Sequence, residues 1–103
     1  MKRVGNAFTG DVTALAKHMM QVRLDGNWLL GRWSEFPEME VQAKVFSEPS
    51  GFGIGNGRIS KLWVANTSHK PVDPLLNYDR GWDLKPRSKD AKKVLRVIYA
   101  ALQ

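Results

Sequence analysis

Two rhythms of hydrophobic and polar residues run along the chain. Between residues 39 and 45, Met39, Val41, Ala43 and Val45 take every second position, with Glu40, Gln42 and Lys44 between them. That is the period of a strand with one face buried and the other wet. The runs NWLLGRW, RISKLWVAN and LLNYDRGWDL are rich in β-branched or aromatic residues and are bounded by turn formers such as Pro49, Pro71, Asp73 and Pro74. Each predicts a further strand. No connection between these runs holds the helix that a parallel crossover requires, so antiparallel pairing is expected.

Toward both ends the rhythm lengthens to that of a helix. In TGDVTALAKHMMQVRL, Val12, Leu15, Ala16, Met19 and Val22 fall on one stripe, with Lys17 and Gln21 on the wet side and Thr9 or Asp11 placed to cap the start. Arg23 would enter the stripe, so the helix is expected to stop there, before Asp25-Gly26-Asn27. At the other end Pro86 stops the last strand, Ser88 is the expected N-cap and Asp90 sits in the positive first turn. At about 100° per residue, Ala91, Val94, Leu95, Ile98, Ala101 and Leu102 share one side of this helix, and Lys89, Lys92, Lys93 and Arg96 the other. The predicted fold is α+β: a single domain over residues 1–103, in the order α-β-β-β-β-α, its antiparallel sheet carrying two helices packed on one face.

Length and composition agree with one ordinary globular core, since 103 residues leave no room for a second. The apolar runs WLL and VIYAAL fall far short of the roughly 20 residues of a membrane span. Lys2 and Arg3 are followed by polar and glycine residues, so no signal peptide is expected. The absence of cysteine removes disulfides and thiolate metal sites and suits a cytoplasmic location. Charge changes the picture more. Residues 1–54 carry six Lys/Arg and six Asp/Glu, whereas residues 55–103 carry ten and four and so hold the whole net charge of +6. Such asymmetry points to a nucleic acid or nucleoprotein, an acidic protein surface or an anionic membrane as candidate partner, with colloidal solubility as the plain alternative. Lys85, Arg87, Lys89, Lys92, Lys93 and Arg96 are the expected nucleic-acid contacts, weighed against a merely solvated helix face.

Two further stretches look chemical. SGFGIGNGR places glycine at positions 51, 53, 55 and 57, but it lacks the third glycine of a dinucleotide fingerprint and the Gly-Lys-Ser/Thr of a P-loop. Alternation predicts Phe52 and Ile54 on one side and bare backbone on the other, where Trp63 or Trp82 could lie, with Asn56-Gly57 as a hairpin turn. In NYDRGWD, a strand would set Tyr78, Arg80 and Trp82 on one face unless Gly81 makes a bulge. That face is either internal cation–π packing or an exposed platform for a base or a protein side chain. Asp79 and Asp83 would stand about 13 Å apart, too far for a paired-carboxylate mechanism. His18 and His69 have no metal-spaced partners, and no nucleophile elbow or cysteine nucleophile is present. No enzymatic activity, cofactor or metal is therefore expected. An open sheet leaves edges through which a homodimer could form.

GNGRISKLWV followed by NYDRGWDLKP resembles the core of a family of small uncharacterised proteins from bacteria, phages and other mobile elements, in which a glycine-rich turn leads into GRISKL and NYDRGWD precedes a helix. The resemblance spans roughly residues 39–103, with the N-terminal helix and HKPVDPL as additions. It implies a mobile-element setting and no particular activity. Separately, RSKDAKKVLRVIYAAL is similar to the last helix of double-stranded-RNA-binding domains, which implies Lys89, Lys92 and Lys93 as phosphate contacts. The chain departs from that family in lacking its Gly-Pro-x-His loop and in having one more strand. The function expected from these readings together is a non-enzymatic accessory protein that binds nucleic acid or a nucleoprotein. The alternative is a protein-binding module, such as an inhibitor of a host defence system, acting through Tyr78, Arg80 and Trp82.

Overall fold

The alternating stretch forms β3 (Met39–Val45), and around it β1 (Met19–Asp25), β2 (Trp28–Trp33), β4 (Ile59–Asn66), β5 (Asp73–Asp79) and β6 (Trp82–Leu84) build one antiparallel sheet in sequence order. Helix α1 (Val12–Leu15) precedes the sheet and α2 (Lys89–Leu102) follows it. This is a computed structural model, which describes residues 12–68 and 70–102.

Register sorts the strands into two faces. Leu29, Ala43, Leu62 and Tyr78 align across β2 to β5, and Gly31, Val41, Val64 and Leu76 form the next row; all are buried. Val94, Ile98 and Leu102 of α2 join these side chains, Leu15 and Trp33 in one hydrophobic cluster. Each fully buried aliphatic side chain contributes about 1.5–3 kcal/mol, so this seam outweighs any single cap or surface ion pair. On the opposite face the rows are Trp28, Lys44, Lys61 and Asp79, then Leu30, Gln42, Trp63 and Asn77, then Arg32, Glu40 and Ala65. Apart from exposed Asp79 and buried Ala65, these residues are half-buried. Arg32 is tied down there, its Nη1 donating to Thr67 Oγ1 at 3.0 Å and its Nη2 standing 3.8 Å from Glu40.

The observed order is α-β6-α, two strands more than expected. The long first helix is a single turn that contacts α2, and the stripe residues Met19 and Val22 belong to β1 instead. A β-bulge explains the misreading. Gln21 and Val22 together oppose the single residue Gly31, so the inward-facing Met19 and Val22 acquire a three-residue spacing that imitates a helix. Gln21 takes a φ of 54° to allow it. Asp25 pairs with Trp28 across Gly26-Asn27, so the expected helix stop is a hairpin turn. Thr9 and Asp11, the expected caps, lie outside the described residues. The predicted strand LLNYDRGWDL is divided into β5 and β6 at Arg80, whose φ of 61° reverses the chain. Asp73 and Pro74, read as turn formers, lie inside β5, with Pro74 at an irregularity opposite Ala65 where a missing N–H is tolerated. The free edges belong to the bulged β1 and the three-residue β6, both features that blunt edge-to-edge pairing.

Candidate functional site

The basic helix begins where the sequence places its cap. Ser88 Oγ accepts the Ala91 N–H at 3.1 Å and the Ser88 carbonyl accepts the Lys92 N–H at 3.0 Å. With Ala91, Val94, Ile98 and Leu102 buried, Lys89, Lys92, Lys93 and Arg96 stand on the outer side at i, i+3, i+4 and i+7. Lys93 is engaged, its Nζ donating to Glu35 Oε1 at 2.8 Å from the turn between β2 and β3. Lys85, Arg87, Lys89, Lys92 and Arg96 are exposed, and none forms an ion pair among the described residues. Lys92 and Arg96 border a shallow, mainly apolar groove of about 290 Å³ formed with Ile54, Gly55, Leu95 and Tyr99. His18 lies stacked on Trp33 with ring centroids 5.6 Å apart, and His69 is outside the described residues.

The NYDRGWD side chains are not presented on one face. Tyr78 is only 7% exposed, and its hydroxyl donates to the Phe52 carbonyl at 2.8 Å. Trp82 packs edge-on against it at 5.1 Å. Arg80, in the left-handed turn, swings away to the surface and sets its guanidinium carbon 4.6 Å from the centre of the Phe52 ring. The expected shared face fails because that turn ends the strand before Arg80. Asp79 pairs with Lys61 at 3.6 Å instead of facing Asp83 across a reaction centre.

Tyr78 and Arg80 both lead to the glycine stretch, which is a folded loop and not an alternating strand. Ile54–Asn56 form a 3₁₀ turn in which Gly55 and Asn56 both take φ near 59°, closed by the Gly57 N–H donating to the Ile54 carbonyl at 2.9 Å. The left-handed pair thus sits one residue before the expected Asn56-Gly57. A Cβ on Gly53 would collide with the Gly57 carbonyl, and one on Gly55 would come 2.6 Å from the Tyr99 hydroxyl. An aromatic ring does rest on the loop, but it is Tyr99 of α2 in place of Trp63 or Trp82. Trp63 lies in the half-buried face of the sheet.

A cationic groove escaped the sequence reading. Lys44, Phe46, Ser50, Phe52, Ser60, Lys61 and Arg80 line a recess of about 320 Å³ at the end of the sheet under the glycine loop. Its residues come from β3, the loop, β4 and the β5–β6 turn; Ser50, Phe52 and Arg80 belong to the two stretches that stood out in the sequence, whereas Lys44, Phe46, Ser60 and Lys61 do not. The period-2 pattern of β3 places Lys44 on the open face, but the partner strand's register is needed to bring Lys61 beside it.

No helix among the described residues is long and apolar enough to cross a membrane. No curated protein and no solved structure matches the chain. The profile of one family matches residues 27–103, starting at the second strand, earlier than the resemblance around GRISKL and NYDRGWD, and running on through HKPVDPL to α2. Over that range the chain belongs to the family described as a domain of unknown function (DUF7678).

Proposed function

We propose that this is a non-enzymatic accessory protein that binds nucleic acid, alone or within a nucleoprotein, through the outer face of α2 and the segment before it. The observation that carries this reading is the set of five exposed cations, Lys85, Arg87, Lys89, Lys92 and Arg96, without ion-pair partners among the described residues. Helix stability does not account for them. Lys89 and Lys92 lie in the first turn or so of α2, at the positive end of its dipole, where a cation is unfavourable by about 0.3–1 kcal/mol. A polyanion reverses that sign. The mobile-element setting implied by the GRISKL and NYDRGWD resemblance accords with such a role. The protein-binding alternative draws less support, because buried Tyr78 cannot contribute its ring to a platform with Arg80.

The test is binding to duplex DNA, duplex RNA and single strands over a range of salt. If the five cations each neutralise one phosphate, the log–log slope is about −4.5 for a duplex and about −3.5 for a single strand. Absence of salt-sensitive binding at low ionic strength would sink the proposal.

A further inference from the structure

We infer that the groove formed by Lys44, Lys61, Arg80, Phe46 and Phe52 holds a nucleotide unit of a single-stranded nucleic acid, its base against an exposed phenylalanine ring and its phosphate among the three cations. This rests on the nucleic-acid reading of α2 and adds to it the kind of strand and a second contact.

Two features of the groove ask for an anionic, planar ligand. Lys44 and Lys61 are directly opposite across β3 and β4, a like-charge pair that is destabilising in an empty sheet. Among the described residues only Lys61 of the three cations has a carboxylate partner, Asp79 at 3.6 Å, and that pair is solvent-exposed enough to be weak. Phe46 and Phe52 are 44% and 56% exposed in a protein whose other large apolar side chains are mostly covered. A cation is held against each ring: Lys44 Nζ is 5.3 Å from the centre of Phe46 and Arg80 is 4.6 Å from that of Phe52. Arg80 adopts a left-handed backbone conformation, an uncommon one for a non-glycine residue, to reach that position. Rings bordered by cations are what a base-and-phosphate ligand uses for stacking and neutralisation together. Ser50 and Ser60 add hydroxyls to the wall, and the volume suits one nucleotide.

Geometry selects the single strand. A base inside a duplex is stacked on its neighbours and cannot lie on Phe46 or Phe52, whereas an unstacked base can. The glycine loop links this groove to the basic helix, since Ser50 and Phe52 line one side of it and Ile54 and Gly55 meet Lys92 and Arg96 on the other. A strand leaving the groove over the loop meets α2.

Fluorescence anisotropy with a single-stranded oligonucleotide of about twelve residues and a hairpin duplex of matched charge tests this. Phe46→Ala/Phe52→Ala should weaken single-strand binding roughly tenfold or more and leave duplex binding within about twofold. Phe52→Trp in the Phe46→Ala background should recover most of the loss. Lys44→Gln/Lys61→Gln should flatten the single-strand salt slope by about 1.4. Circular dichroism melts check that each variant folds, the outcome expected from the exposure of both rings. Undiminished single-strand affinity in the double phenylalanine variant overturns the groove and leaves the α2 reading standing. Loss of single-strand and duplex binding alike in a folded Lys89→Glu/Lys92→Glu/Arg96→Glu variant, with the phenylalanine effect present in the parent, supports both. Absence of any nucleic-acid binding by the parent protein overturns both. Displacement of the oligonucleotide by a phosphotyrosine peptide at lower concentration than by thymidine monophosphate would assign the groove to a phosphoprotein and overturn the inference.

Discussion

The outer face of α2 and the groove at the end of the sheet are both cationic, but they hold their charges differently. On α2, Lys89, Lys92 and Arg96 project into solvent from a helix whose geometry is set by the apolar seam beneath. In the groove, Lys44 and Arg80 are held against phenylalanine rings and Lys61 is fixed beside Lys44 by strand register. Exposed charges on a helix attract a polyanion without reading its shape. Charges held beside rings favour one conformation of it. The difference suggests a division between affinity and selection, and it can be broken at several points.

The largest effect is expected from Lys89→Glu/Lys92→Glu/Arg96→Glu. Reversing three of the free charges should lower affinity for every nucleic acid by about a hundredfold or more at moderate salt, read by anisotropy, with the melting temperature held or raised because acids suit a helix start. Next is Gly55→Ala, which combines a φ of 59° with a Cβ 2.6 Å from the Tyr99 hydroxyl. A loss of about 1–3 kcal/mol in denaturant unfolding is expected, together with weaker discrimination between single strand and duplex. Tyr78→Phe removes only the hydroxyl that reaches the Phe52 carbonyl, and should lower stability by about 1 kcal/mol while loosening the groove more than the helix face. Smallest is Lys93→Ala. Its exposed pair with Glu35 is worth less than about 1 kcal/mol, and because Lys93 is already engaged, its loss should lower affinity less than Lys92→Ala does.

These two surfaces also mark what the sequence could and could not disclose. Helix α2 and β3 were legible because their apolar positions keep a constant period over the whole element, and β2 and β4 because short apolar, aromatic-rich runs are set off by turn formers. Met19 and Val22 misled because one bulged residue changes a strand's spacing into a helix's, and the Asp25-Gly26 turn signal was the clue that should have outweighed it. The cations of α2 were visible as a run. The groove was not, because Lys44 and Lys61 become neighbours only through register, and Arg80 reaches Phe52 only through a backbone conformation that its residue type disfavours. In NYDRGWD the composition pointed to the right region, but the same turn put Tyr78 inside and Arg80 outside.

The glycine loop is held on two sides, by the hydrogen bond from the Tyr78 hydroxyl to the Phe52 carbonyl in the sheet and by the close packing of Gly55 against Tyr99 in the helix. A ligand that draws Phe52 outward must stretch the first fastening or shift the second, and a ligand that moves Tyr99 must do the converse. If both proposed sites bind, any free energy that links the two attachments is shared equally, so occupancy of either would change the other's dissociation constant by the same factor. A glycine-rich stretch without a phosphate-binding motif would then act as a thermodynamic joint between the two proposed binding events.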